Sequence, residues 1–120
     1  MTDENWLLGL INAYDEDTSG VGGRIDPLWM SMRPTYLMEE FYWMIGATGD
    51  YIPNRVLETR NLWSYNVSHR RTLIDEVGPL SDSVGLGHGS RLFQGEDTEF
   101  EVRASKITGK GVRYVPEARG

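Results

Sequence analysis

Cysteine is absent from all 120 residues. That excludes a disulfide scaffold, a Cys-ligated zinc site and a thiol nucleophile. Lysine is scarce: Lys106 and Lys110 stand against ten arginines. Histidine occurs twice, as His69 and His88, too far apart in the chain to suggest a metal site. The first residues, Met1-Thr2-Asp3-Glu4-Asn5, are acidic and lack the apolar core of a secretory signal. The longest apolar stretch, 36–45, is broken by Glu39 and Glu40 and is too short to span a bilayer. These absences lead to the expectation of a soluble chain made in a cytoplasm, with no membrane span.

Net charge is −6, and it is unevenly placed. Residues 1–60 hold four Arg against ten Asp and Glu, whereas residues 61–120 hold eight basic and eight acidic residues. A duplex-binding protein needs a basic stripe. The one basic cluster here is Arg70-Arg71 beside His69, so no direct nucleic-acid partner is expected. At this length a single domain over residues 1–120 is expected.

Trp6, Leu7, Leu10, Ile11 and Tyr14 recur at helical spacing and predict a first helix over 4–14. Residues 15–27 form an acidic, glycine-rich loop. Pro34 opens a second predicted helix over 34–46, which Gly46 and Gly49 end. A third is expected over 54–61. Residues 62–77 are ambiguous: Trp63, Tyr65 and Val67 alternate as in a strand, while Trp63, Val67, Arg70, Ile74 and Val77 also fit a helix. From residue 78 the chain reads as a glycine-rich loop, with short strands over 91–94, 98–106 and 112–115. Phe100, Val102 and Ala104 would point one way, and Glu99, Glu101 and Arg103 the other. Residues 108–111 supply a turn. The expected fold class is α+β: a mainly helical part over 1–77, containing the acidic loop, followed over 78–120 by a small C-terminal antiparallel sheet.

On a helical wheel over 36–46, Leu37, Phe41, Met44 and Ile45 share one face and Glu39 and Glu40 mark the other. Tyr36 and Trp43 fall between the two glutamates. A helix apolar nearly all round is usually buried. The pattern leaves two readings open: both rings pack inside the domain, or Trp43 anchors a contact with another chain. Interface cores favour aromatics, Met and Arg over Lys. Trp29, Tyr36, Trp43 and, in the C-terminal arm, Tyr114 are the candidate interface residues.

Residues 15–26 resemble an EF-hand calcium loop. Asp15, Asp17 and Ser19 occupy loop positions 1, 3 and 5, Gly20 the sharp turn at 6, Val21 the backbone-carbonyl position 7, and Asp26 position 12. The resemblance implies Asp15, Asp17, Ser19, Val21 and Asp26 as ligands for Ca²⁺, the one cofactor suggested. The sequence departs from the pattern at Gly22, where an apolar residue is usual, at Asp26 in place of Glu, and at Pro27. The alternative is a solvated loop in which Asp15 or Asp17 caps its own backbone.

Catalytic signals are weak. His88 and Ser90 lie in Gly85-Leu86-Gly87-His88-Gly89-Ser90, without a phosphate-loop signature or a Gly-x-Ser-x-Gly elbow. Glu39/Glu40 and Asp75/Glu76 are adjacent in sequence and diverge on a helix. No catalytic residue is assigned and a non-enzyme is expected.

The chain's Arg-rich, Cys-free composition, its Trp- and Met-rich segment 29–43 and its C-terminal Gly111-Val112-Arg113-Tyr114-Val115-Pro116 run resemble small virion proteins of tailed actinobacterial bacteriophages. The resemblance implies a structural subunit of the tail or head–tail junction, located in the virion. Its partners would be other virion subunits, met by self-association or hetero-assembly. The alternatives are a phage-encoded inhibitor of a host protein and a calcium-binding module.

Overall fold

The computed structural model describes residues 4–85 and 95–120. The fold is built around a strand that the sequence disguises as a loop. Helix α1 (Trp6–Asn12) leads into strand β1 (Thr18–Gly23), every residue of which is buried. A lobe over 28–45 follows, containing a 3₁₀ segment, Glu39–Ile45. Then come β2 (Leu57–Thr59), a 3₁₀ turn (Ser64–Asn66), β3 (Val67–His69), α2 (Arg71–Val77), α3 (Glu96–Thr108) and β4 (Gly111–Val115). The four strands form one sheet in the order β2-β4-β1-β3. β1 runs parallel to β4, while β1–β3 and β2–β4 are antiparallel.

The α+β class holds. The expected order does not, since strands begin at Thr18 and the sheet is mixed. The acidic glycine loop becomes the central strand because its glycines admit close neighbours. A Cβ at Gly23 would collide with the Ala118 carbonyl, and one at Gly22 with the Asn66 carbonyl. Gly23→Ala is therefore expected to destabilise the fold by about 3 kcal/mol, at the upper end of overpacking costs. Thermal unfolding measures this; an unchanged midpoint would mean that β1 and the 115–118 turn do not pack as described.

Residues 98–106, expected as a strand, lie within α3. Phe100 and Ala104, four apart, share its buried face with Glu101. Glu96, Asp97 and Glu99 crowd the first turn and Lys106 the last, as the helix dipole favours. Glu99 and Arg103 pair at 2.7 Å one turn apart. The expected third helix over 54–61 is extended chain carrying β2. The ambiguous 62–77 stretch is both strand and helix, β3 then α2. The strand expected over 91–94 lies outside the described residues.

The second helix is replaced by the lobe. Its hydrogen bonds run over three residues, from Phe41 N–H to Met38 O (3.0 Å) and from Gly46 N–H to Trp43 O (3.2 Å). Of its apolar residues only Tyr42 is buried, with Trp29 tilted against it at 6.1 Å and the Arg33 guanidinium 5.2 Å from its ring centre. With nothing to cover a broad apolar face, an α-helix here gains little from packing.

Among the described residues three small clusters make the core. Leu10, Val21, Val115 and Ala118 join α1 to the sheet; Leu73, Val77, Phe100 and Ala104 join α2 to α3; Leu62, Val112 and Tyr114 pack on the other side of β4. Asn66 ties several loops together. Its Oδ1 accepts from the Trp6 indole (2.7 Å), and its Nδ2 donates to Ala118 O (2.8 Å) and Arg24 O (3.0 Å).

Candidate functional site

Among the described residues a cleft lies where three segments far apart in sequence converge. Trp43, Met44 and Gly46 come from the end of the lobe, Trp63, Ser64 and Tyr65 from the chain before β3, and Gly95, Glu96, Asp97 and Thr98 from the start of α3. Gly46 is needed there: its φ is +70° and a Cβ would strike the Tyr65 ring. Two indoles and a phenol thus border a wall that carries two carboxylates.

The 61–64 segment is docked along the first turns of α3. Asn61 Nδ2 donates to Thr98 Oγ1 (3.1 Å), the Leu62 amide to Glu101 Oε2 (2.6 Å), and the Ser64 amide and hydroxyl to Asp97 Oδ2 (3.3 Å each). Asp97 Oδ1 also accepts from the Thr98 amide at 2.7 Å, one of the free N–H groups of the helix start. Asp97 is therefore held in one orientation at the cleft wall. Glu96 also lines the cleft, but its carboxyl lies against Gly85.

Beneath this wall Glu101 is completely buried. Burial pushes its carboxyl up to about 7; the Leu62 amide opposes that rise and the nearby Asp97 charge adds to it. His69, also largely enclosed, is pushed below its ordinary value by burial, with the Ser19 carbonyl opposing.

The structure scatters the residues singled out from the sequence. Among the expected calcium ligands, Asp15 pairs with Arg113 at 2.6 Å and accepts from the Thr18 hydroxyl at 2.6 Å, and these contacts hold its carboxyl below the usual range. Asp17 is exposed. The Ser19 hydroxyl donates to Gly111 O (2.9 Å), and Val21 lies in the ladder opposite Arg113. Asp26 pairs with Arg24 (2.6 Å) and Arg119 (2.9 Å). Among the described residues no group of three or more His, Cys, Asp or Glu is placed to hold a metal.

Of the four interface candidates, Tyr36 is exposed, Trp29 packs on Tyr42, and Trp43 borders the cleft. Tyr114 is buried inside the domain instead. His88 and Ser90 lie outside the described residues. Trp63, Tyr65, Asp97 and Glu101 were not singled out as site residues. For Glu101 one signal was available: a carboxylate four residues beyond Asp97, on the side of α3 that also carries Phe100 and Ala104.

No family model and no solved structure matches the chain. Over 119 residues it is 29% identical to a glucosyl-dolichyl phosphate glucuronosyltransferase of Haloferax volcanii, a match covering 98% of this chain and 38% of that protein. The chain thus spans less than two-fifths of the length of this curated relative. The likeness overturns the expectation of a non-enzymatic structural subunit of a phage virion, and with it the expected residence in the particle. Composition misled because aromatics and methionines line a substrate cleft as readily as a subunit interface.

Proposed function

We propose that this chain carries the acceptor cleft of a glycosyltransferase, in which Asp97 is the general base. The observation that carries the reading is the cleft itself: Trp43, Trp63 and Tyr65 border a wall where Ser64 and Thr98 orient a single carboxylate. Sugar rings present flat faces of C–H bonds that stack on aromatic rings, and their hydroxyls seek carboxylates. A cleft with a few polar groups among aromatic walls suits such a ligand.

The chemistry is a displacement at the anomeric carbon. An acceptor hydroxyl oxygen forms a bond to that carbon, the bond to the donor's leaving group breaks, and the leaving group departs with the electron pair. The hydroxyl proton passes to Asp97. The relative supports this class of reaction, being named for transfer of a glucuronosyl group to a dolichyl-linked glucose.

The lobe beside the cleft favours an acceptor on a lipid carrier. Met30 and Met32 are 93% and 91% exposed, and Tyr36 is 84% exposed. Trp43 and Met44 belong both to this apolar surface and to the cleft. An acceptor sugar seated in the cleft would lead its apolar carrier out across them. Large exposed apolar patches mark such contacts.

The test is a transfer assay on the full chain with an activated glucuronosyl donor and a glucosyl polyprenyl phosphate, read by mass spectrometry as gain of one glucuronosyl residue. Trp63→Ala is expected to raise the acceptor KM about tenfold, the effect of removing an aromatic anchor, with kcat less affected. Lack of transfer to any lipid-linked sugar would sink the proposal.

A further inference from the structure

Glu101 has no solvent-exposed surface, yet only half of its carboxyl is satisfied. Oε2 accepts the 2.6 Å bond from the Leu62 amide. Oε1 makes no hydrogen bond. It faces His69 Nε2 at 3.6 Å. A buried polar atom left without a partner is costly, so a native group in this state calls for a reason.

The His69 ring supplies half of one. It lies edge-on to Phe100, with centroids 5.0 Å apart at 70°. Its Nδ1 stands 3.4 Å from the Ser19 carbonyl, which selects the tautomer with hydrogen on Nδ1. The Nε2 lone pair then points at Glu101. The titratable and charged groups around the Glu101 carboxyl are His69 from β3 and Asp97 from its own helix. The 62–64 segment brings the Leu62 amide, and β1 reaches the pair through the Ser19 carbonyl behind His69. Among the described residues no cation other than this histidine stands within ion-pair distance of the carboxyl. A neutral carboxyl that carries its proton on Oε1 removes the unpaired buried charge: Oε2 accepts from Leu62, and Oε1–H is turned toward Nε2, 3.6 Å away.

The other half of the reason is position. Asp97 and Glu101 stand one turn apart on α3 and grip the same short segment, at Ser64 and at Leu62. The Glu101 contact is short and dry, whereas the Asp97 contacts are long and exposed. The buried contact must therefore fix the segment, and the exposed one follows from it. We propose that Glu101 is a positioning residue, a protonated carboxyl set between Leu62 and His69 that clips the 62–64 segment to α3 and so holds Ser64, and through it Asp97, in the orientation the cleft uses. The clip stands on its own geometry; its consequence for transfer rests on the reading of Asp97 as the base.

Amide hydrogen exchange on the full chain tests the clip without any substrate. Glu101→Ala is expected to speed exchange at Leu62 and Ser64 about tenfold, the loss of one buried hydrogen bond, while α2 and β4 amides keep their rates. Glu101→Gln, which retains an acceptor for Leu62 and a donor for Nε2, is expected to restore protection to within about threefold. Unchanged exchange in the alanine variant, or equal loss in both variants, overturns the proposal.

Should the alanine variant fail to fold, the wild-type protein decides. The Leu62 amide proton shift should follow the titration of the Glu101 carboxyl carbon in an NMR pH series, with the same midpoint. An amide that ignores that titration overturns the clip. In the transfer assay the alanine variant is expected to lose kcat with little change in acceptor KM, and glutamine to recover it. Loosened amides with undiminished kcat would overturn the link to Asp97 while leaving the clip standing. Absence of transfer by the wild type would overturn the functional reading, with the exchange result still deciding the clip.

Discussion

Asp97→Asn is expected to lower the turnover of glycosyl transfer by about 10²- to 10⁴-fold, the usual contribution of a positioned general base. Asparagine keeps the size of the side chain and one acceptor oxygen, enough for the Thr98 amide or the Ser64 amide but not for both, while the Asn61–Thr98 and Leu62–Glu101 bonds are untouched. The 61–64 segment should stay docked and acceptor KM should change little. What disappears is the capacity to take the acceptor's hydroxyl proton as the new glycosidic bond forms. Because the loss falls on kcat, it marks an interaction made in the transition state rather than uniform binding. Steady-state kinetics beside a thermal unfolding curve separates this from misfolding. A fall of less than about threefold in kcat, far below the usual range for a base, would remove Asp97 from the role. Glu96→Gln is the companion measurement: with its carboxyl turned toward Gly85, it is expected to leave kcat within about threefold of wild type, well short of a base deletion.

Stability should depend on pH through the buried pair, in a direction that depends on which member titrates. The Glu101 carboxyl is raised from 4.5 to about 7 by burial. The folded chain therefore keeps a proton that the unfolded chain has released, and stability falls as pH rises from about 4.5 to about 7 before levelling off. At about 1.4 kcal/mol per unit of difference, the fall is at most on the order of 3 kcal/mol. His69 acts in the opposite sense. Burial lowers it from 6.5, so the unfolded chain binds the proton more tightly and stability rises with pH toward and through 6.5. In the wild type the two slopes offset each other in part. Glu101→Gln removes the falling component, and its stability should then rise with pH across this window. Asp15 and Glu99, whose carboxyls are held low by their partners, act at more acidic pH in both proteins and cancel in the difference. Denaturant unfolding at a series of pH values measures the two curves. Parallel curves would mean that Glu101 is ionised in the folded chain at neutral pH.

Local pattern carried some of the architecture. The apolar spacing of Trp6, Leu10 and Tyr14 identified α1, because a helix that buries one stripe writes a period of 3.6 into its own residues. Val112 and Tyr114 marked β4 for the matching reason in a strand. The two readings open at 62–77 were both present in the chain, in succession.

The failures fall where neighbours distant in sequence decide. Thr18–Gly23 has the composition of a loop, and its glycines are explained only by the Ala118 and Asn66 carbonyls that approach them. The alternation of Phe100, Val102 and Ala104 fits a strand, but Phe100 and Ala104 also sit one helical turn apart, and packing against Leu73 and Val77 favours the helix. That change of period moved Glu101 from an outward face to a fully buried position on α3.

The sequence by itself determined the class of the molecule: a Cys-free, acidic α+β chain whose aromatic and Met-rich segment either packs inside the domain or meets another molecule. Composition and short-range period suffice for that, since burial of one face acts within a few residues. Only the tertiary structure decided where these aromatics lie. Trp43, Trp63 and Asp97 come from three segments, and the hydrogen bonds that bring the last two together, from Asn61, Leu62 and Ser64 to the first turns of α3, span more than thirty residues of chain. Such bonds form only once the sheet and α3 have packed, so no local pattern could announce the cleft.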